Sequence, residues 1–326
     1  MNESIETGGH ANESFRFVQL SDLHLSSIQS PNPVHLLNKR ILGYLSWLRK
    51  RRFTHQRSIL DIAIEEIRHL KVDHYAITGD LTHIGLKSEF EQAGQWLNSV
   101  ATADRITLIP GNHDLYVNER WNRSFALWEN YMLGDNQKIH NPPRQALAQL
   151  NQLYPIVRIR KQVAFIGLSS VFDAPWFRAT GKIDEQQLNR LQKLLSSKAL
   201  DNFCKVLLVH HPLTITHTPA RKCLLNRDRL TSMLRQHPVE LVLHGHGHNS
   251  CFETIDCADK TEIPVIGMSS SSSISQAKNY QAEFLLFEIS NTHNGWNINR
   301  QSYTYNKDLR KFSVTTHQQF SRAKAC

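Results

Sequence analysis

Residues 72–80 read VDHYAITGD, an apolar strand that runs into a glycine and a carboxylate. Four other apolar segments also end in Asp, Asn or His side chains. Phe15–Leu20 (FRFVQL) leads to Asp22-Leu23-His24, and Arg105–Ile109 leads to Pro110-Gly111-Asn112-His113-Asp114. Lys205–Val209 (KVLLV) leads to His210-His211-Pro212, and Val239–Leu243 (VELVL) leads to His244-Gly245-His246-Gly247-His248. In open α/β sheets, ligands gather beyond the carboxyl ends of strands. Five ends that carry Asp, His and Asn therefore predict one shared site. Glycines beside them let the backbone turn tightly.

The donors define the chemistry. A carboxylate such as Asp80 is able to bridge two cations, neutral imidazoles suit Zn, Mn or Fe, and Asn supplies a hard carbonyl oxygen. A nitrogen and oxygen set without thiolate argues against structural zinc. Cys204, Cys223, Cys251, Cys257 and Cys326 form no CxxC pair and are odd in number, so no disulfide framework is expected. That pattern fits a reducing cytoplasm.

Outward from these motifs, helical spacing of apolar residues appears at Ser58–Leu70 and Ser88–Val100, and again at Asp184–Leu195 and Arg227–Gln236. Asp184 is placed as an N-cap. Tyr154–Arg160 and Val163–Leu168 read as a hairpin, and strands at Ile263–Gly267, Ala282–Ile289 and Trp296–Tyr305 close the domain. The five serines Ser269–Ser273 are expected in a solvated loop, residues 1–14 as a flexible N-terminus, and residues 306–326 as a basic tail. The 326 residues carry 40% hydrophobic content, which suits a globular domain with a sizeable core, and no apolar run approaches the ~20 residues needed to span a bilayer. A formal net charge of +9 permits a phosphorylated substrate, an anionic membrane surface or a nucleic acid. Aromatics are not interleaved with Lys and Arg along a strand platform, which places nucleic acid last.

The segment Val34–Arg52, VHLLNKRILGYLSWLRKRR, is the second informative stretch. On a helical wheel Val34, Leu36, Leu37, Ile41, Tyr44, Leu45, Trp47 and Leu48 share one half, opposite His35, Asn38, Lys39, Ser46, Arg49 and Lys50. Leu42 and Arg40 break the pattern. Two fates are open: a cap helix meeting a membrane through Leu37, Arg40, Tyr44, Trp47, Leu48 and Arg51, or a helix packed on its own domain.

The order DxH, GD, GNHD, HHP, GHxH resembles the calcineurin-like metallophosphoesterase superfamily over residues 15–290. The resemblance implies an α/β fold of two packed mixed β-sheets flanked by helices, a four-layer sandwich, with a domain over residues 15–305. It implies two divalent metal ions (Mn, Fe, Zn or Mg). Asp22, His24 and His248 would hold the first, Asp80 would bridge, and Asn112, His210 and His246 would hold the second. His211 is the alternative to His210. The implied reaction is hydrolysis of a phosphodiester or pyrophosphate by a metal-bridging hydroxide. His113 would stabilise or protonate the leaving oxygen, with Asp114, His211 and His244 in supporting or substrate-contacting roles.

Protein phosphatases of the superfamily carry Asp and Arg where His83 and Ile84 stand here, which weakens that reading. Residues 79–90, GDLTHIGLKSEF, look like the bacterial phosphodiesterase branch. The basic, apolar cap resembles members that act on UDP-2,3-diacylglucosamine at the inner membrane. A cyclic-nucleotide phosphodiesterase is the rival enzyme, and an inactive scaffold is the non-enzymatic alternative.

Overall fold

Short runs of β-branched, aromatic and aliphatic residues, bounded by turns, form twelve strands in the computed structural model, which describes residues 14–25, 27–28, 31–140 and 142–323. They are β1 (Phe15–Leu20), β2 (His74–Ile77), β3 (Ile106–Leu108), β4 (Ile156–Arg160), β5 (Val163–Gly167) and β6 (Cys204–Leu208). The rest are β7 (Leu241–His244), β8 (Cys251–Asp256), β9 (Glu262–Gly267), β10 (Glu283–Thr292), β11 (Gly295–Asn306) and β12 (Lys311–Ala323). Two mixed six-stranded sheets result, ordered β12-β11-β10-β1-β2-β3 and β4-β5-β6-β7-β9-β8. In the first, β1, β2 and β3 are parallel; in the second, β5, β6, β7 and β9 are parallel. Parallel pairing brings the carboxyl ends of β1, β2 and β3 to one edge, and likewise those of β6 and β7. That is how motifs more than two hundred residues apart meet.

The sheets pack face to face over aromatic side chains. Phe17 of β1 stacks on Phe287 at 4.8 Å and meets Phe165 of β5 edge-on at 5.0 Å. A second core lies beneath the other face of the second sheet, where Leu188, Leu191, Leu230 and Leu234 come from the helices Glu185–Leu195 and Arg227–Gln236. Asp184 caps the first of these by accepting from the N–H groups of Gln186 and Gln187. The helix Arg57–His69 buries Ile59, Leu60, Ala63, Ile64 and Ile67, and Lys87–Val100 buries Phe90, Ala93, Trp96 and Leu97.

Three expectations need correction. The presumed tail is strand β12 from Lys311 to Ala323, paired along all of β11 with one bulge at Ser302/Tyr303. Ladder hydrogen bonds come from the backbone, so a polar edge strand forms without an apolar signature. The remaining expected tail residues 324–326, like residues 1–13 of the N-terminal segment, lie outside the described residues. The serine run is not solvated: Ser269–Ser273 are all buried. Finally, Val34–Arg52 is not one regular helix. A 3-10 turn at Pro33–Leu36 precedes an α-helix at Arg40–Ser46, a π-helical stretch at Trp47–Arg51 and a last turn at Arg52–Thr54.

That cap settles on its own domain through most of the side chains assigned to a membrane face. Trp47 is buried with Ile28, Ile84 and Leu86, and Tyr44 and Leu48 pack against the same cluster. Arg40 is only 4% exposed, where it donates to the carbonyls of Ile84 and Gly85 and pairs with Glu119. Gly43 permits the approach, since a Cβ there would lie 2.6 Å from Ile84 Cγ2 and 2.7 Å from the Tyr116 hydroxyl. Leu37 alone of that set stays open, at 81% exposure. No helix among the described residues is long and apolar enough to cross a membrane.

Candidate metal centre

The loops that follow β1, β2 and β7 hold their ligands in an unusual backbone conformation. Asp22, His24, Asp80, His246 and His248 all have φ between +44 and +64. Non-glycine residues there cost on the order of 1–3 kcal/mol each and persist where the surroundings over-determine them. Here the surroundings are specific. Asp22 N–H donates to Gly79 O, His24 N–H to Asp80 O, and Gly245 N–H to His210 O. Asp114 clamps two loops together, accepting from the N–H groups of Asp80, Leu81, Thr82 and Gly111 at 2.9–3.0 Å and from the Thr82 hydroxyl. Burial, and then the Asp80 carboxylate, push Asp114 up to about 7 against the pull of those N–H groups.

All seven expected ligands converge. Asp80 Oδ2 lies 3.3 Å from His210 Nε2, which is 3.2 Å from Asn112 Oδ1. Asp22 Oδ1 lies 3.1 Å from His248 Nε2. Ligand atoms of Asp22, His24 and Asp80 fall within 4.8 Å of one another, as do those of Asp80, His210 and His246. Two of the imidazoles have their other nitrogen committed: His24 Nδ1 to Thr82 O at 2.8 Å and His210 Nδ1 to Thr78 O at 2.6 Å. Such second contacts fix the tautomer and aim Nε2 at a metal.

The donor set fits two cations. Asp22 Oδ1, Asp80 Oδ2 and His246 Nε2 are buried without a hydrogen-bond partner. Burial alone would raise Asp80, but His210 and His113 outweigh it and hold its carboxyl well below the ordinary range. Burial would likewise raise Asp22, and His248 and then His210 hold it down. His210 moves the other way: burial would lower it, yet Asp80 and Asp22 raise it to about 9. The protein thus supplies from His210 a positive charge that two cations are suited to provide.

The supporting residues separate. His211 bonds Ser170 Oγ through Nδ1 at 2.7 Å, and its ring lies 4.5 Å from that of His246. His244 is buried at its strand end with Nδ1 on Gly245 O. His113 donates from Nδ1 to His83 O at 2.6 Å, and its backbone N–H donates to Asp80 Oδ1. Arg51 Nη1 stands 3.0 Å from His113 Nδ1. Burial, then that guanidinium, push His113 down to about 4.

Several neighbours carried no sequence signal. The sequence reading places Arg51 among the cap residues that would meet a membrane, whereas in the structure it stands beside His113. A π turn holds more residues per turn than the 3.6 of a helical wheel, so Trp47–Arg51 rotates it inward. His55 joins His24 and His248 within the same 4.8 Å limit. Beside His113 opens a cavity of about 210 Å³ bounded by Leu42, Arg51, Tyr116, Phe172, Trp176 and Phe177.

A model of the calcineurin-like phosphoesterase family matches residues 15–250. The chain belongs to that family. A probable cyclic nucleotide phosphodiesterase from Vesicomyosocius okutanii is 21% identical over 240 residues, 73% of this chain and 80% of that protein. A dimetal phosphatase from Danio rerio shares the fold with a TM-score of 0.60 at 12% identity, covering 94% of this chain and 98% of that one. Vacuolar protein sorting 29 from Cryptosporidium parvum aligns over 95% of this chain and 99% of its own, with 10% identity and a TM-score of 0.40. Like other calcineurin-like phosphoesterases, this chain is a metal-dependent phosphoester hydrolase, and three buried or half-buried groups of its Asp and His side chains could hold a metal ion.

Proposed function

We propose that this enzyme cleaves a phosphodiester or pyrophosphate bond in a small nucleotide. The observation that carries the reading is the cleft beside His113, lined by the cations Arg51, Arg178 and Lys39 together with the aromatic rings of Trp176 and Phe177. These two aromatic residues are 54% and 86% exposed, so they present free ring faces on which a base stacks. A cavity of about 210 Å³ sits below the roughly 300–1,000 Å³ of sites for larger ligands, which favours a compact substrate. The relative named as a probable cyclic nucleotide phosphodiesterase supports the same class.

Two divalent cations held by Asp22, His24, His248, Asp80, Asn112, His210 and His246 would supply Lewis-acid activation of the phosphoryl group and of water. The chain's own residues do the rest. Arg51 binds and orients the phosphate as a charge-assisted donor. His83 O fixes the His113 ring through Nδ1–H, leaving Nε2 free toward substrate. The ligand-free His113 is neutral, and an arriving phosphate offsets Arg51 and raises its proton affinity, so that Nε2 acts on the leaving oxygen.

A nucleotide-linked lipid is the second reading. It is favoured by an exposed stripe of Val34, Leu37, Ile41 and Leu45, with Phe53 and the exposed cations Arg49, Lys50 and Arg52 nearby. Such a stripe suits an anionic membrane surface. One comparison decides between them: turnover of 3′,5′-cyclic AMP against UDP-2,3-diacylglucosamine by Mn²⁺-loaded enzyme. Cyclic AMP turnover with none of the lipid supports the first reading. UMP release from the lipid alone would reject it.

A further inference from the structure

His55 sits where the cap rejoins the domain, and the fold fixes its position from both sides. Gln56 N–H donates to Ser272 O and Ile274 N–H to Thr54 O, and His55 bridges to Ser273 in antiparallel fashion. The imidazole ring lies 4.4 Å from that of His24 and 5.4 Å from that of His248. Its ligand nitrogen and those of His24 and His248 fall within 4.8 Å of one another, the same span that gathers Asp22 with His24 and Asp80.

The hydrogen bonds around it specify which nitrogen is free. His55 Nδ1 is 3.0 Å from Ser272 Oγ and 3.2 Å from Ser270 Oγ. Ser270 donates its one hydroxyl proton to Asp22 O at 2.7 Å, so toward His55 it only accepts. These distances accommodate a relay in which Nδ1–H donates to Ser272, Ser272 donates to Ser270 at 3.3 Å, and Ser270 donates to Asp22 O. Nδ1 then carries the ring's proton, and Nε2 presents a bare lone pair. A lone pair suits a cation and repels an anionic phosphate.

We infer that His55 is an additional ligand of the first metal ion, joining Asp22, His24, Asp80 and His248. The buried serines Ser270 and Ser272 are its orienting partners, which accounts for a polar run packed inside the protein. Three imidazoles among the ligands of that ion select a transition metal over magnesium.

The assignment rests on the dinuclear reading, and the test separates the two. Metal content and Mn²⁺ affinity are measured by mass spectrometry and calorimetry on the full chain, its His55→Ala variant and its His55→Gln variant. Visible spectra of the Co²⁺-loaded proteins report coordination number. Two ions in the wild type, with one site weakened at least about tenfold in His55→Ala and an altered Co²⁺ spectrum, support the assignment. The thermal midpoint in EDTA controls for folding, and His55→Gln decides if His55→Ala does not fold. Unchanged affinities in a two-ion protein overturn the assignment alone. A weakened site with an unchanged Co²⁺ spectrum also overturns it, because His55 then acts only by supporting Asp22. A wild type that binds no divalent ion overturns the dinuclear reading itself.

Discussion

Replacing Gly111 with alanine tests whether the fold positions the Asp80 carboxylate as closely as the geometry requires. A Cβ at residue 111 would lie 2.2 Å from Asp80 Oδ1, 2.4 Å from Asp80 N and 2.7 Å from Asp80 Cγ. Ordinary contact begins near 3.4 Å, so the carboxylate must retreat by about 1.2 Å. Asp80 N cannot simply follow, because its N–H is held by Asp114 Oδ2 at 2.9 Å. Metal–ligand distances tolerate only ~0.2 Å of error, and a misplacement of about 1 Å costs on the order of a hundredfold in rate. Overpacking by one methyl costs roughly 1–3 kcal/mol, or about 2–4 °C in a chain of this size. The expected signature is therefore unequal. Activity on bis-p-nitrophenyl phosphate falls about a hundredfold. The EDTA-treated protein melts only a few degrees lower, and the variant retains fewer than two ions after desalting. A Gly111→Ala enzyme that keeps both ions and turns over within about threefold of wild type would refute the reasoning.

Four other outcomes are expected. Each ion present at about a thousand times its dissociation constant adds ~4.1 kcal/mol of stability, so EDTA should lower the melting temperature of the loaded protein by roughly 10 °C for two ions; an unchanged midpoint argues against the centre. Arg51→Met should raise KM for a phosphodiester about ten- to a hundredfold and, by removing a cation that holds His113 near 4, move the His113 inflection in kcat/KM to higher pH. A pH profile identical to wild type would place Arg51 outside the site. Arg40→Ala leaves the Ile84 and Gly85 carbonyls without their buried donor and should cost about 2–4 kcal/mol in urea unfolding; a loss under about 0.5 kcal/mol would mean that water replaces it. Truncation after Asn306 strips β12 from β11 and exposes a twelve-residue edge, so the shortened chain should aggregate at concentrations where the full chain stays monodisperse by light scattering.

The expected membrane face and the observed cap show where a helical wheel stops being informative. It grouped Tyr44, Trp47 and Leu48 with Leu37, Ile41 and Leu45 as one apolar surface. Packing divides them: the first three turn onto Ile84 and Leu86, and the others stay open. The segment contains both apolar faces, and only the shape of the loop beneath it selects the buried one.

Local sequence determined the strands that lead to the site and what stands at their ends. An apolar run followed by Asp, Asn or His is complete within a few residues, so the pattern is legible without knowing its partners, and β1, β2, β3, β6 and β7 deliver those ends to one place. Tertiary structure decided everything whose meaning depends on a distant neighbour. Ser269–Ser273 is a polar run until it is buried against His55 and Asp22. Arg51 is one of four consecutive cations until a π turn aims it at His113, and Lys311–Ala323 is a hydrophilic tail until β11 offers it a ladder. The physical reason is range. Periodicity and turn chemistry act over a few residues, whereas burial, hydrogen-bond partnership and metal reach are set by contacts that exist only after the sheets have packed.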